Sequence, residues 1–375
     1  MTVASEDSYS MNGLFSRVAN GIKAFFGNRM VVYIVRRLLV MIPLFFGISM
    51  LTFAMVRLLG DPTDVTLQSG YGQEIKKETL RRLYGLDKPL HIQYLIWLKN
   101  FLTWKFGYSI IFATDQPAPY INELIKQTLK LQYLVLFLSV AVSIPMGIYA
   151  ATNHQTSKDS GISTFALLGN SIPVFVLGIG LIILVRSYSA LNWIPIKNAY
   201  TPYREEASFW DFITKPNGFA DVRNTLPNKI VFWQDMGDDI IHLFLPTFTL
   251  TIISLATVTR LVRSNMLEIL RQDFILAARA NGLSERTIIW KHALRNAIIP
   301  VITLVALAFG FSIGGAPITE TVFSWPGLGY RYIQAVFSLD MVIVLSVTMI
   351  ITVAVLLSNL LADIVYVFVD PRIRL

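Results

Sequence analysis

The sequence of 375 residues contains no cysteine. That absence excludes disulfide bonds, thiol catalysis, and metal or cluster sites built on cysteine ligands. Charge is also scarce: charged side chains make up 15% of the chain and hydrophobic ones 54%, whereas about a quarter of a soluble domain is charged. This balance is typical of a membrane protein. The net charge of +8 indicates basic loops and lipid headgroup contacts, not nucleic-acid binding, because no compact basic face with interleaved aromatics is present.

Motifs of the common catalytic sites are missing too. The chain has no G-x-x-x-x-G-K-[ST] phosphate loop, no H-E-x-x-H and no G-x-S-x-G, so no enzyme site is supported. We therefore expect no catalytic residue, no metal site and no cofactor in this chain. The first 30 residues lack a short apolar core followed by an A-x-A-like site, and no cleaved signal peptide is expected.

Long apolar runs are what the chain has in abundance. Each exceeds the roughly 20 residues that a bilayer requires, which predicts an all-α integral membrane protein with six transmembrane helices. The predicted spans are about 33–58, 129–151, 165–193, 242–262, 297–318 and 341–369. Arg36 and Arg37 at the start of the first span predict a cytoplasmic N-terminus, and six spans place the C-terminus on the same side.

The segments between the spans differ in character. Residues 1–30 are predicted to be a cytoplasmic tail in which 11–30 form an interfacial amphipathic helix, with a frayed tail as the alternative. The membrane domain takes up 31–375. We expect external loops at 59–128, 194–241 and 319–340, and a cytoplasmic loop at 263–296.

The most informative stretch is 260–300, a polar and basic interruption between apolar spans. Its seven basic residues are opposed by only three acidic ones. Apolar residues at helical spacing predict two short amphipathic helices. Gly282 is placed to stop the first helix, and Ser284 followed by Glu285 to cap the second. The predicted apolar faces are Leu267, Leu270, Phe274 and Ala277 or Ala278, then Ile288, Ile289 and Ala293.

The run AARANGLSERTIIWKHALRNAIIP resembles the "EAA" cytoplasmic loop of ABC importer permeases, in the form found in dipeptide and oligopeptide permeases. Leu276 stands where the general pattern has Glu, and His292, Leu294 and Arg295 stand around the usual Ile-x-Leu-Pro; these departures resemble the peptide subfamily. The resemblance implies an ATPase-coupling loop that carries Ala277, Ala278, Arg279, Gly282, Leu283, Arg286, His292 and Arg295. The alternative is an ordinary basic interfacial loop of a polytopic protein.

A second resemblance lies in ETVFSWPGLGYRYIQAVFSLD, where Glu320, Trp325, Pro326, Gly327 and Gly329 match an external pattern of peptide-type permeases. Together the resemblances cover about 31–375, interrupted near 196–240. They imply a homologous second permease subunit, two cytoplasmic ATPase subunits that carry the ATP and Mg, an external solute-binding protein and a prokaryotic cell membrane. Family members also serve oligosaccharides and nickel, so the resemblance leaves the substrate open.

Four residues are candidates for the substrate path: Arg186, Glu320, Trp325 and Pro173. Arg186 is placed to snorkel or to meet a peptide carboxylate, and Glu320 to bind a substrate amine or to cap a loop. Pro173 permits a kink in a glycine-rich third span. Asn359 and Asp363, one turn apart on the last span, favour a polar clamp between helices.

The rival class is a proton-coupled secondary transporter. Such a protein ordinarily has acidic or histidine relays at the membrane midplane, and the predicted spans carry almost none. A membrane anchor without transport activity leaves the loop resemblance unexplained.

Overall fold

The computed structural model describes residues 29–58, 85–107, 109, 117–188 and 229–369. Within them the secondary structure is helical, apart from an isolated β-bridge at Ser109. The predicted amphipathic helix at 11–30, except for its last two residues, lies outside the described residues, as do the larger parts of loops 59–128 and 194–241. The helices, numbered in chain order, are α1 Arg29–Leu58, α2 Leu90–Leu102, α3 Ala118–Thr152, α4 Ser157–Ser171, α5 Val174–Ser187, α6 Lys229–Leu270, α7 Asp273–Ala280, α8 Glu285–Ala297, α9 Ile299–Phe311, α10 Pro317–Val322, α11 Leu328–Phe337 and α12 Met341–Val369.

Four of the described helices contain a segment long and apolar enough to cross a membrane: Val32–Leu58, Ala118–Thr152, Ile241–Leu270 and Met341–Ile364. Two further candidates are bent pairs, α4 with α5 at 100° and α8 with α9 at 51°. The described part of the chain therefore holds four candidate spans, or up to six if each bent pair is one span. The predicted number of six corresponds to that upper figure.

Helix α3 begins at Ala118, well before the predicted second span at 129–151. Its first turns carry Glu123, Lys126 and Lys130, which make them too polar to be read as a span. They are helical because they are buried on one side: Ile121 is 0% exposed and packs in a cluster with Leu328 of α11 and Ile343 of α12. Tertiary packing extends the helix beyond its apolar run.

The predicted third span, 165–193, is two helices in the structure. Helix α4 starts at Ser157, and the chain turns through 100° before α5 starts at Val174. Pro173 causes the break, because it has no N–H to donate and pushes Ile172 into extended geometry, with φ −85° and ψ 123°. The kink expected at Pro173 is present and is sharper than a bend within one helix.

Helix α6 is longer than the predicted fourth span, 242–262. It starts at Lys229, inside the predicted external loop, and continues to Leu270, inside the predicted loop 263–296. The extension to Leu270 follows from packing, since Val262 and Met266 are 1% and 0% exposed. The fifth predicted span, 297–318, ends earlier, at Gly314, before Gly315 with φ +69°. The sixth, 341–369, has the bounds of α12.

Among the described helices, α3 and α6 form the most extensive pair. Gly147 lies at their contact, where a Cβ would come within 2.6 Å of Cβ and Cγ1 of Val262. Only glycine allows this approach of the two backbones. The end of this pair carries the segment 271–297, which packs on it through a shared apolar cluster that includes Ile148, Val262 and Met266.

Candidate functional site

The turn between α7 and α8 has the geometry of a Schellman motif. Gly282 adopts φ +76°, its N–H donates to Arg279 O at 2.9 Å, and Leu283 N–H donates to Ala278 O at 3.2 Å. Those two bonds satisfy carbonyls that the end of α7 would leave unpaired. The prediction that Gly282 stops the helix is confirmed.

The start of α8 is capped as the sequence predicts. The Oγ of Ser284 accepts a hydrogen bond from Thr287 N–H at 3.3 Å, and Glu285 occupies the first turn. The Glu285 carboxylate also pairs with Arg279 across the turn, with 2.7 Å between Oε1 and Nε and 3.2 Å between Oε2 and Nη2. The two helices are thus fixed relative to each other by the motif and the cap, and the exposed ion pair also spans the turn.

The buried face of α7 differs from the predicted one. Ile275 is fully buried and Ala278 is 9% exposed, whereas Phe274 is 41% exposed and Ala277 is also exposed. The prediction assumed one continuous helix in which Leu267, Leu270 and Phe274 share a face. The chain turns at Arg271 and Gln272 before α7 starts, which resets the phase and brings Ile275 inward.

Helix α8 contains a π-helical segment, Ile288–Ala293. Ile288 and Ala293 are both fully buried although they are five residues apart. In an α-helix that spacing places two side chains about 140° apart, while the wider π turn brings them onto one side. The π segment therefore anchors α8 and directs Trp290, 53% exposed, and Lys291 outward. His292 lies in the same segment and is half-buried.

What faces outward from this unit is apolar and basic together. Large apolar side chains are exposed between guanidinium and ammonium groups, an arrangement found at protein–protein and membrane interaction sites. We call this the 271–295 surface; its exposed apolar and basic members are Arg271, Phe274, Leu276, Ala277, Arg279, Leu283, Arg286, Trp290, Lys291 and Arg295.

A buried ion pair that the sequence analysis missed lies next to this unit. Asp159, 4% exposed in the first turn of α4, accepts from Arg263 of α6 at 2.5 Å (Oδ1 to Nε) and 2.7 Å (Oδ2 to Nη2). Its Oδ2 also accepts from Gln155 N–H, and Nδ1 of His154 lies 3.1 Å away. The pair ties the start of the bent α4–α5 pair to the part of α6 that leads into α7. Its partners are 104 positions apart, and no local pattern joins them.

At the opposite end of α3, Glu320 of α10 is fully buried. Its Oε2 accepts from Tyr330 N–H at 2.9 Å, and its Oε1 accepts from Ala316 N–H at 3.3 Å and the Thr128 hydroxyl at 3.2 Å. Burial raises the pKa of this carboxyl, and the hydrogen bonds oppose that effect without cancelling it. Of the two predicted roles for Glu320, the geometry supports the loop cap and not an exposed amine site.

The glycines and the tryptophan of the second sequence resemblance complete this loop. A Cβ on Gly327 or Gly329 would collide with the Glu320 carboxylate, so the loop closes around the acid only because both lack side chains. Trp325 is 1% exposed and donates from Nε1 to Gln127 O at 3.1 Å. In this conformation Trp325 and Glu320 lie inside the chain and do not line an open path.

The other candidates lie on the surface. Arg186 is exposed in the last turn of α5 and forms no ion pair within the described part of the chain. Pro173 is exposed at the α4–α5 break. Asp363 of α12 pairs with Arg37 of α1 at 3.1 Å, which confirms its part of the predicted interhelical clamp. Asn359 is exposed and bonds to no residue that the structure describes, so its part of that prediction is wrong. Among the described residues, no three His, Cys, Asp or Glu side chains are close enough to hold a metal ion.

The helical bundle and the basic unit at its end define a multi-span membrane protein with an exposed apolar and basic surface at one end of the bundle. Two family models match the chain: the binding-protein-dependent transport system inner membrane component over residues 143–375, and the N-terminal part of such a membrane component over residues 30–123. The chain belongs to this family of ABC importer permeases, as the sequence resemblance predicted.

Several characterised relatives are similar along nearly their whole length. The oligopeptide transport system permease protein AppB of Bacillus subtilis is 35% identical over 346 residues, covering 92% of this chain and 100% of that protein. The di/tripeptide transport system permease protein DppB of Pseudomonas aeruginosa is 35% identical, with 92% and 99% covered. The dipeptide transport system permease protein DppB of Escherichia coli K12 is 36% identical, with the same coverage. Among solved structures, a chain of the inward-facing MetNI methionine ABC transporter aligns with 68% of this chain and 99% of its own, at a TM-score of 0.46 and 16% identity; the family assignment rests on the models and the sequence relatives.

Proposed function

We propose that this chain is a pore-forming permease subunit of a binding-protein-dependent ABC importer that moves di- or oligopeptides across a prokaryotic cell membrane. The chain itself is not an enzyme; two separate ATPase subunits hold ATP and Mg. A homologous second permease completes the pore, and an external solute-binding protein delivers the substrate. The names of the relatives support a peptide substrate.

The observation that carries the proposal is the 271–295 surface. It is rigidly built, because the Schellman turn and the Ser284 cap fix α7 against α8. It also exposes apolar side chains such as Leu276 (55%) and Leu283 (41%) between basic ones. Such a surface on a membrane bundle is suited to a soluble partner, and the partner that an ABC importer supplies is its ATPase.

The same geometry suggests how ATP-driven motion is transmitted. Ile275 and Ile288 are buried in one apolar cluster with Met266 of α6. Displacement of α7 therefore moves the end of α6. Helix α6 runs unbroken from there to Lys229. On the other side, α8 leads into α9 through a 51° bend. In this proposal all six candidate spans cross the membrane and both termini are cytoplasmic.

The docking step is tested by co-expression of the chain with its partner subunits. We expect Leu276→Asp and Leu283→Asp to reduce recovery of the ATPase with the tagged permease at least tenfold, because each places a carboxylate in the apolar part of the surface. Phe337→Asp is the matched control, since Phe337 is 83% exposed on α11, away from this surface. Equal ATPase recovery from all three variants contradicts the proposal.

Oligosaccharides and nickel are the alternative cargoes within the same architecture, and uptake assays with each separate them from peptides. A proton-coupled transporter is the alternative from another class. It requires transport that follows a pH gradient in the absence of any ATPase.

A further inference from the structure

A groove of about 320 Å³ lies between α3, α6 and α9, in the middle of three candidate membrane-spanning segments. None of its lining side chains is ionisable. Five are polar but uncharged: Gln132, Ser139, Ser254, Thr257 and Ser312. The volume is within the range of small-molecule sites, about 300–1,000 Å³.

Two of these polar groups are satisfied within their own helices. The Ser139 hydroxyl donates to Leu136 O at 3.0 Å, and the Ser312 hydroxyl donates to Ala308 O at 2.7 Å. Back-bonding of this kind is how hydroxyls are accommodated in an apolar span, and Thr249 and Thr303 do the same nearby.

The other three polar groups differ. The Gln132 amide and the Ser254 and Thr257 hydroxyls make no hydrogen bond with any residue that the structure describes. They come from two facing helices, α3 and α6. All three side chains are open to the groove, Thr257 being exposed and the other two half-buried, and uncharged polar groups at membrane depth typically line a cavity or a substrate path. They therefore indicate a ligand that brings both donors and acceptors.

The chemistry of the groove selects the class of that ligand. A metal ion would find no anionic or imidazole ligand among the lining residues, and a charged group would find no counter-ion. A peptide backbone offers alternating N–H and C=O groups, which match an amide and two hydroxyls, each able to donate and accept. Binding through the backbone tolerates varied side chains.

We propose that this groove holds the backbone of a peptide in transit, through hydrogen bonds from Gln132, Ser254 and Thr257. This inference rests on the proposed function and assigns the substrate contact to a defined site. It moves the path away from Glu320 and Trp325, which are buried elsewhere in the chain.

The first test measures uptake of tri-alanine by the complete importer in proteoliposomes, together with ATP hydrolysis stimulated by loaded binding protein. We expect Gln132→Leu to lower uptake about tenfold, the loss of roughly one hydrogen bond, with stimulated hydrolysis retained. Ser254→Ala and Thr257→Val should act in the same direction. Thr303→Val is the matched control, because that hydroxyl lies on α9 outside the groove lining and is bonded to its own helix, and it should leave uptake unchanged.

The second test uses the absence of cysteine. Thr257→Cys in the assembled complex should react with a small charged methanethiosulfonate reagent, and the modification should block uptake. Phe137→Cys, on α3 but outside the groove and 69% exposed, should remain unmodified in the bilayer. An unreactive Thr257→Cys overturns the proposal, because the groove would then face lipid.

Two other results overturn it as well. If the groove variants lose the second permease on purification, the polar groups form a subunit interface. If Gln132→Leu transports tri-alanine as well as Thr303→Val does, the groove makes no substrate contact. These results leave the proposed function standing, whereas a wild-type complex that transports no peptide refutes both.

Discussion

Asp159 and Arg263 form a bidentate ion pair between the start of α4 and the end region of α6, with oxygen to nitrogen distances of 2.5 and 2.7 Å. The acid is almost completely buried and the guanidinium is half-buried. This pair links the bent α4–α5 helices to the helix that carries the 271–295 surface. Movement of that surface is therefore transmitted to helices α4 and α5.

Removing one partner of this ion pair should be costly. We expect Asp159→Asn to destabilise the solubilised chain by on the order of 3 kcal/mol, because it leaves the Arg263 charge without its buried counter-ion. Thermal unfolding of the purified complex measures the change. Arg260→Gln, an exposed arginine one turn earlier with no partner among the described residues, is the control and should leave the melting temperature unchanged. Equal melting temperatures for Asp159→Asn and wild type would show that the pair is not structural.

The turn at Gly282 should tolerate asparagine but not valine. No atom lies within 4 Å of a Cβ at this position, so space does not limit the substitution, but φ is +76°. A β-branched residue is strained by about 1–2 kcal/mol or more in this region, whereas Asn enters it readily. We predict that Gly282→Val abolishes ATP-driven uptake with normal membrane insertion, and that Gly282→Asn retains most of it. Loss of uptake in both variants would point to a need other than backbone conformation.

The charge at Arg279 should matter more than its ion pair. Both partners of the Arg279–Glu285 pair are exposed, and such a pair contributes about 0–1 kcal/mol. Arg279→Glu should therefore lower uptake at least tenfold by inverting charge in the 271–295 surface, with little change in melting temperature. Glu285→Ala breaks the same pair but keeps the arginine, and it should transport nearly normally. Similar uptake defects in both variants would assign the effect to the turn.

Glu320 should make stability depend on pH. A raised carboxyl pKa means that the folded chain holds the proton more tightly than the unfolded chain does. Its contribution to stability is then full below the ordinary value of 4.5 and is lost as the pH rises through the raised, folded-state pKa. Glu320→Gln removes the titration and should flatten this part of the pH profile of the melting temperature. An unchanged profile would show that Glu320 does not cause it.

Truncation of the same side chain tests its structural role. Glu320→Ala leaves a cavity and leaves the N–H groups of Ala316 and Tyr330 without their acceptor. We expect this to lower the free energy of unfolding by about 2–5 kcal/mol. The melting temperature should fall well below that of Glu320→Gln. A value equal to that of Glu320→Gln would mean that the loop holds its shape without the acid.

The sequence predicts what depends on local chemistry. The glycine stop at Gly282, the cap at Ser284 and the break at Pro173 follow from backbone rules within a few residues. The partner of Asp159 does not, because it is 104 positions away. The early start of α3 and the burial of Ile275 instead of Phe274 also depend on packing against distant helices. The unpartnered groups of the groove become visible only once α3 and α6 face each other.

ATP hydrolysis by the complex that purifies with this chain tests most directly whether the chain is the permease subunit of an ABC importer. The tagged permease is solubilised gently, its partners are identified, and the hydrolysis rate is measured with and without peptide-loaded binding protein. We predict a co-purifying ATPase whose rate of ATP hydrolysis rises with the loaded binding protein. A chain that purifies without an ATPase, or an ATPase indifferent to the loaded binding protein, would contradict it.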